Sequence, residues 1–203
     1  MTLPAIVFLV SVVVPIFFGK IRSAPFWLAV QAAALAWSIQ QHEAPSVHTV
    51  VALLEIVIVR ALIAPRLLRR AIRSPGWPNL DLMPSNLFTW AIAIALVVLA
   101  FEFAAPAMSD HQSFTLGVVG ATVTVSLLLL STNDSPAAQL AAVLFMENGL
   151  ALFESLLPEP WPLPVHLALS AVYLLTVGVG GWLIATPEPV VSSATTAPSE
   201  EAS

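Results

Sequence analysis

The chain has 203 residues, of which 58% are hydrophobic and 9% charged, and its mean hydropathy is +0.91. Soluble domains carry about 25% charged residues, so this composition points to an integral membrane protein with no sizeable water-soluble domain. A net charge of −5 with seven basic residues offers no surface for nucleic acid, and the absence of cysteine excludes iron–sulfur ligation, disulfides and thiol chemistry.

The apolar segments predict an all-α bundle of about seven transmembrane helices, at residues 2–18, 24–40, 47–64, 86–107, 113–132, 136–157 and 165–185. The first lacks a basic stretch ahead of it and reads as a retained helix, not a signal peptide. The second is short and rich in Ala29, Ala32, Ala33, Ala34 and Ala36. Small side chains permit close packing, so this helix is expected in the interior. All the basic residues fall on one side of a seven-span layout. Lys20 and Arg22 lie in the first loop, Arg60 near the end of the third helix, and Arg66, Arg69, Arg70 and Arg73 after it. The positive-inside rule makes that side cytoplasmic, with the N-terminus outside and the C-terminus inside. The loops near 41–46, 108–112 and 158–164 contain no Lys or Arg.

Residues 66–81 read as the longest internal loop, with its four arginines anchoring anionic lipid headgroups or, alternatively, docking a cytoplasmic partner. Trp27, Trp37, Trp90 and Trp182 fall near helix ends, and Trp77 and Trp161 in loops, as an aromatic belt would place them. Asp134-Ser135-Pro136 is a helix start signal, a capping side chain followed by proline in the first turn. The proline-rich stretch 157–164 reads as a stiff connector that disfavours helix, and the tail from Thr186 as disordered. The predicted organisation is therefore a three-helix segment with a basic loop (1–80), a fourth helix (81–112), a three-helix unit (113–186) and a cytoplasmic tail (187–203).

Four carboxylates lie within these spans: Glu55, Glu102, Glu147 and Glu154. A carboxylate at the bilayer midplane costs about 2.5–3.5 kcal/mol on insertion scales, so its presence marks a function or a specific partner. Glu147 sits near the middle of the sixth helix beside Asn148, and Glu154 follows seven residues later on nearly the same face, about 10 Å along the axis. Glu102 shares a face with Ala91, Ala95 and Val98, which argues that it points at protein. The plainer alternative for each acid is a neutral carboxyl bonded to a neighbouring helix. Arg60, five residues after Glu55, lies about 140° away from it around a regular helix. The two should pair only across a local bulge. Otherwise Arg60 serves another helix or snorkels to the headgroups. His166 opens the last helix near the outer surface, either merely solvated or as a titrating relay member. The proton-relay candidates are thus Glu147, Glu154, Glu55, Arg60, His166 and Glu102. The four histidines lack metal-ligand spacing. No residue is assigned to catalysis, to a metal or to a cofactor.

Met146-Glu147-Asn148-Gly149 in a penultimate membrane helix resembles the component E subunit of hydrogenase-4 and related formate hydrogenlyase complexes. The last three helices of that family resemble subunit K of complex I and its counterpart in Mrp-type antiporters. Residues 60–65, Arg-Ala-Leu-Ile-Ala-Pro, resemble the family's basic-x-Leu-x-x-Pro segment, and Arg22 and Gln31 match an Arg and a Gln around its second helix. The resemblance implies a membrane-arm subunit of a redox-driven complex in a prokaryotic inner membrane. It implies no redox chemistry of the chain's own, antiporter-like subunits as partners, and Glu147 as the central proton-relay acid. Two departures stand out. Where the family carries a Glu and then an Asp in the last helix, this chain has His166 and Val172, and 131–135 lacks the family's basic residue. Ion transfer is then rerouted, with Glu154 substituting, or lost. The competing functions are a purely structural subunit of such a complex and a free-standing transporter. The latter is disfavoured by few intramembrane polar residues and no repeated halves.

Overall fold

The computed structural model describes residues 3–42, 46–73, 80–83, 86–106, 110–157 and 161–186. They form α1 (Leu3–Phe18), α2 (Ala24–His42), α3 (Val47–Glu55), α4 (Ala64–Ile72), α5 (Leu87–Ala104), α6 (Asp110–Thr132), α7 (Pro136–Glu154) and α8 (Leu163–Ala185). A π-helical segment, Ile56–Ile63, joins α3 to α4 without a break, so the described residues make seven helices. The predicted tail, Trp77 and Pro158–Pro160 lie outside the described residues. Four helices are long and apolar enough to cross a membrane: Leu87–Ala104, Gln112–Thr132, Pro136–Glu154 and Leu163–Ala185. Leu3–Phe18 is apolar but shorter.

The predicted loop at 66–81 needs correcting. The helix predicted to end at residue 64 continues through Pro65 to Ile72. The change from i→i+5 to i→i+4 bonding falls at Ala64-Pro65, where a residue with no N–H suits the first turn of α4. Ala64, Pro65, Leu68, Ala71 and Ile72 face the core, while Arg66, Arg69 and Arg70 stay exposed. This is an amphipathic stripe of period 3.6. Just beyond, the chain from α4 to α5 is tied to the α1–α2 turn by two backbone bonds. Ile21 N donates to the Leu80 carbonyl (3.0 Å) and Leu82 N to the Gly19 carbonyl (2.9 Å).

Two start signals behave differently. Asn86 caps α5, its Oδ1 accepting from Thr89 N at 2.7 Å. At α7, Pro136 occupies the first turn as expected, but neither Asp134 nor Ser135 supplies the cap. Instead Asn133 Oδ1 accepts from Ser135 N at 2.8 Å, and Gln139 Nε2 donates to the Asn133 carbonyl at 2.9 Å. The connector 157–164 also gives way sooner than expected, since α8 begins at Leu163 with Pro164 in its first turn.

α2 is interior, as its alanines predict: it packs against α1, the π segment, α4 and α7. α8 lies against both α4 and α7, so helices from the two ends of the chain share one core. α5 is attached mainly through α6, with Trp90 also meeting Phe17 and Phe18 of α1. The α5–α6 contact is close because Gly117 leaves room for the Phe101 ring, into which any Cβ at 117 would run. Gly117→Val is therefore expected to cost about 1–3 kcal/mol, the usual penalty of overpacking, read as a lower melting temperature in detergent.

Candidate functional site

Arg60 is the hub of a buried polar network. The π segment brings residue 60 back over residue 55, and Arg60 Nε donates to Glu55 Oε1 at 3.1 Å. The bulge that pairing required is present, and snorkelling is excluded because Arg60 is 5% exposed and points inward. Its Nη1 reaches α7, donating to Asn148 Oδ1 at 3.1 Å and to the Glu147 carbonyl at 3.4 Å. Asn148 Nδ2 in turn donates to Gln31 Oε1 on α2 at 2.8 Å. The guanidinium lies over the ring of Tyr173 on α8, 4.4 Å from its centroid, within cation–π range. One arginine thus fastens four helical elements. A buried cation costs several kcal/mol unless carboxylate, amide and ring replace its water, and here all three do.

Next to this hub lies an acid–imidazole cluster. His166 Nδ1 is 3.2 Å from Glu154 Oε2, and His166 Nε2 is 4.0 Å from Glu55 Oε2. His166 is 6% exposed, so the solvated-histidine alternative is overturned. The last turn of α7 presents Glu154 and the first turn of α8 presents His166. Glu55 therefore sits between Arg60 and His166, and the chain Glu154–His166–Glu55–Arg60 runs across α7, α8, α3 and the π segment.

Glu147 is half-buried at mid-helix. Its Oε1 accepts from Thr176 Oγ1 at 3.5 Å, a long bond. Its Oε2, like Oε1 of Glu154, is buried and meets no protein donor among the described residues. Both acids line one cleft of about 320 Å³ between α7 and α8, whose wall also includes Arg60, Trp161, His166 and Val172. The cleft's volume equals that of about ten waters at liquid density. Trp161, expected in a loop, thus lines the site. Val172, where the family resemblance expects an acid, contributes only an apolar wall.

Glu102 does not join this site. It is exposed on α5, and so are Ala91, Ala95 and Val98 on the same face. The protein that Glu102 was expected to point at is not found among the described residues of this chain, because α5 packs on α6 through the opposite side. Sequence reasoning missed Tyr173 and Thr176. Tyr173 carried a usable signal, being the only tyrosine in the chain and lying inside a span.

Comparisons with protein-family models, with curated proteins and with solved structures find no match to this chain.

Proposed function

We propose that the chain is a non-catalytic membrane-arm subunit of a hydrogenase-4-like or complex I-like redox-driven complex in a prokaryotic cell membrane. In this reading it spans the bilayer about seven times, stands beside antiporter-like subunits, and carries protons through its buried carboxylates. The observation that supports it best is the pairing of two unsatisfied carboxylate oxygens, on Glu147 and Glu154, across one cleft that ends at His166. An acid held in oil with a free acceptor oxygen is neutral when protonated and strongly drawn to a donor when not. Water in the cleft would connect Glu147 to Glu154, and the 3.2 Å contact passes the proton on to the imidazole. On this account His166 stands in for the acid expected at its position, and the route bypasses Val172.

A bracing role without proton transfer is the second reading. Arg60's many partners favour it, since a strut between helices needs no titration. The two are separated by His166→Leu, which removes the link between Glu154 and Glu55. The relay predicts a fall of about tenfold or more in proton translocation by an assembled complex, below the 100-fold that a positioned proton-transfer group commonly supplies. The brace predicts no change. The partner assignment is tested by purifying the tagged chain from its native membranes in mild detergent. Large antiporter-like subunits, identified by peptide sequencing, should accompany it, and a chain that purifies alone overturns the proposal.

A further inference from the structure

The arginine-bearing end of the bundle holds two continuous clefts that the relay does not use. The first, of about 390 Å³, is lined by Arg22 and Pro25 from the start of α2 and by Arg69, Ile72 and Arg73 from the end of α4. The second, of about 310 Å³, shares Arg22, Pro25 and Arg69, adds Arg66, and runs on between Phe26, Ala29 and Leu62. Arg22 lies about 50 residues from the other arginines in sequence and joins them only through packing. Among the described residues, none of the four guanidinium groups has a carboxylate within ion-pair distance. The groove beyond them is apolar and outward-facing, with Phe26 63% and Leu62 43% exposed.

We infer that this pair of clefts is a binding site for a single anionic phospholipid, its phosphate held by Arg22, Arg69 and Arg73 and an acyl chain laid along Phe26, Ala29 and Leu62. Guanidinium groups match phosphate oxygens in geometry as well as charge. Basic pockets between membrane helices on the cytoplasmic side hold lipid headgroups in this way. The apolar continuation is what a lipid needs and a free phosphate does not. Arg70 lines neither cleft, so it distinguishes a built site from a diffuse basic surface. The inference rests on the membrane-spanning reading but is independent of the proton relay.

The test is the full-length chain in nanodiscs of phosphatidylcholine doped with phosphatidylglycerol, followed by delipidation and quantification of the retained phosphatidylglycerol. Wild type should retain it. Arg22→Gln, Arg69→Gln and Arg73→Gln should each lower retention at least about fivefold, Arg22→Glu more, and Arg70→Gln little. Ala29→Leu, which fills the groove, should also lower it, and excess inorganic phosphate should not displace the lipid. Melting in pure phosphatidylcholine establishes that each variant is folded. Equal losses for Arg70→Gln and Arg69→Gln would mean diffuse attraction and overturn the site. Displacement by phosphate with no effect of Ala29→Leu would assign the clefts to a soluble anion and overturn the lipid.

Discussion

Under the proposed relay, Glu147→Gln is expected to leave folding and assembly intact and to lower proton translocation by the proposed complex on the order of 100-fold, the lower end of what a positioned proton-transfer group contributes. The argument is geometric. Glutamine keeps the length and the Oε1 acceptor that meets Thr176. It replaces the unsatisfied Oε2 with an NH₂ that cannot titrate. Arg60 bonds the main-chain carbonyl of residue 147, not its carboxylate, so the hub survives the change. Proton uptake into vesicles carrying the intact complex, normalised to electron transfer, is the measurement. Translocation at the wild-type ratio would remove Glu147 from the path and leave the bracing role.

Arg60→Met is expected to have the largest effect on stability, about 3–5 kcal/mol, because it strands a buried carboxylate. Methionine fills much of the volume but donates nothing. Glu55 would lose its 3.1 Å partner at 7% side-chain exposure, and Asn148 would lose the donor to its Oδ1. Arg60→Lys is a weaker perturbation. It keeps a cation but gives up the planar fork that reaches Glu55 and Asn148 at once and stacks on Tyr173. The double variant Glu55→Gln, Arg60→Met should recover part of the loss, since it removes the stranded charge along with its partner. Thermal unfolding in one detergent across the series measures this. Equal melting of wild type and Arg60→Met would show that the network is not a structural tie.

Much of the fold was legible because oil tolerates so few residue types. Helix positions follow from uninterrupted apolar runs, and the observed bounds differ from the predicted ones by a few residues at most helices. Two misreadings share one cause, which is that local signals ignore neighbours. Pro65 breaks an isolated helix, but here it sits at a change of hydrogen-bond register, and α4 continues because its apolar stripe has α2 and α8 to pack against. Glu102 shares a face with small residues, but nothing among the described residues covers that face.

The sequence by itself determined that the chain is helical and apolar, and that Glu147, Glu154, Glu55 and Arg60 needed partners. Each isolated charge in an apolar run carries a free-energy cost visible without coordinates. Only the tertiary structure decided who the partners are. The π segment turns Arg60 toward Glu55, α7 brings Asn148 and α8 brings Tyr173 to the same guanidinium, and the end of α7 and the start of α8 set His166 on Glu154. These pairings join residues from 5 to more than 100 positions apart, and their strength depends on distance and burial, neither of which a linear string of residues contains.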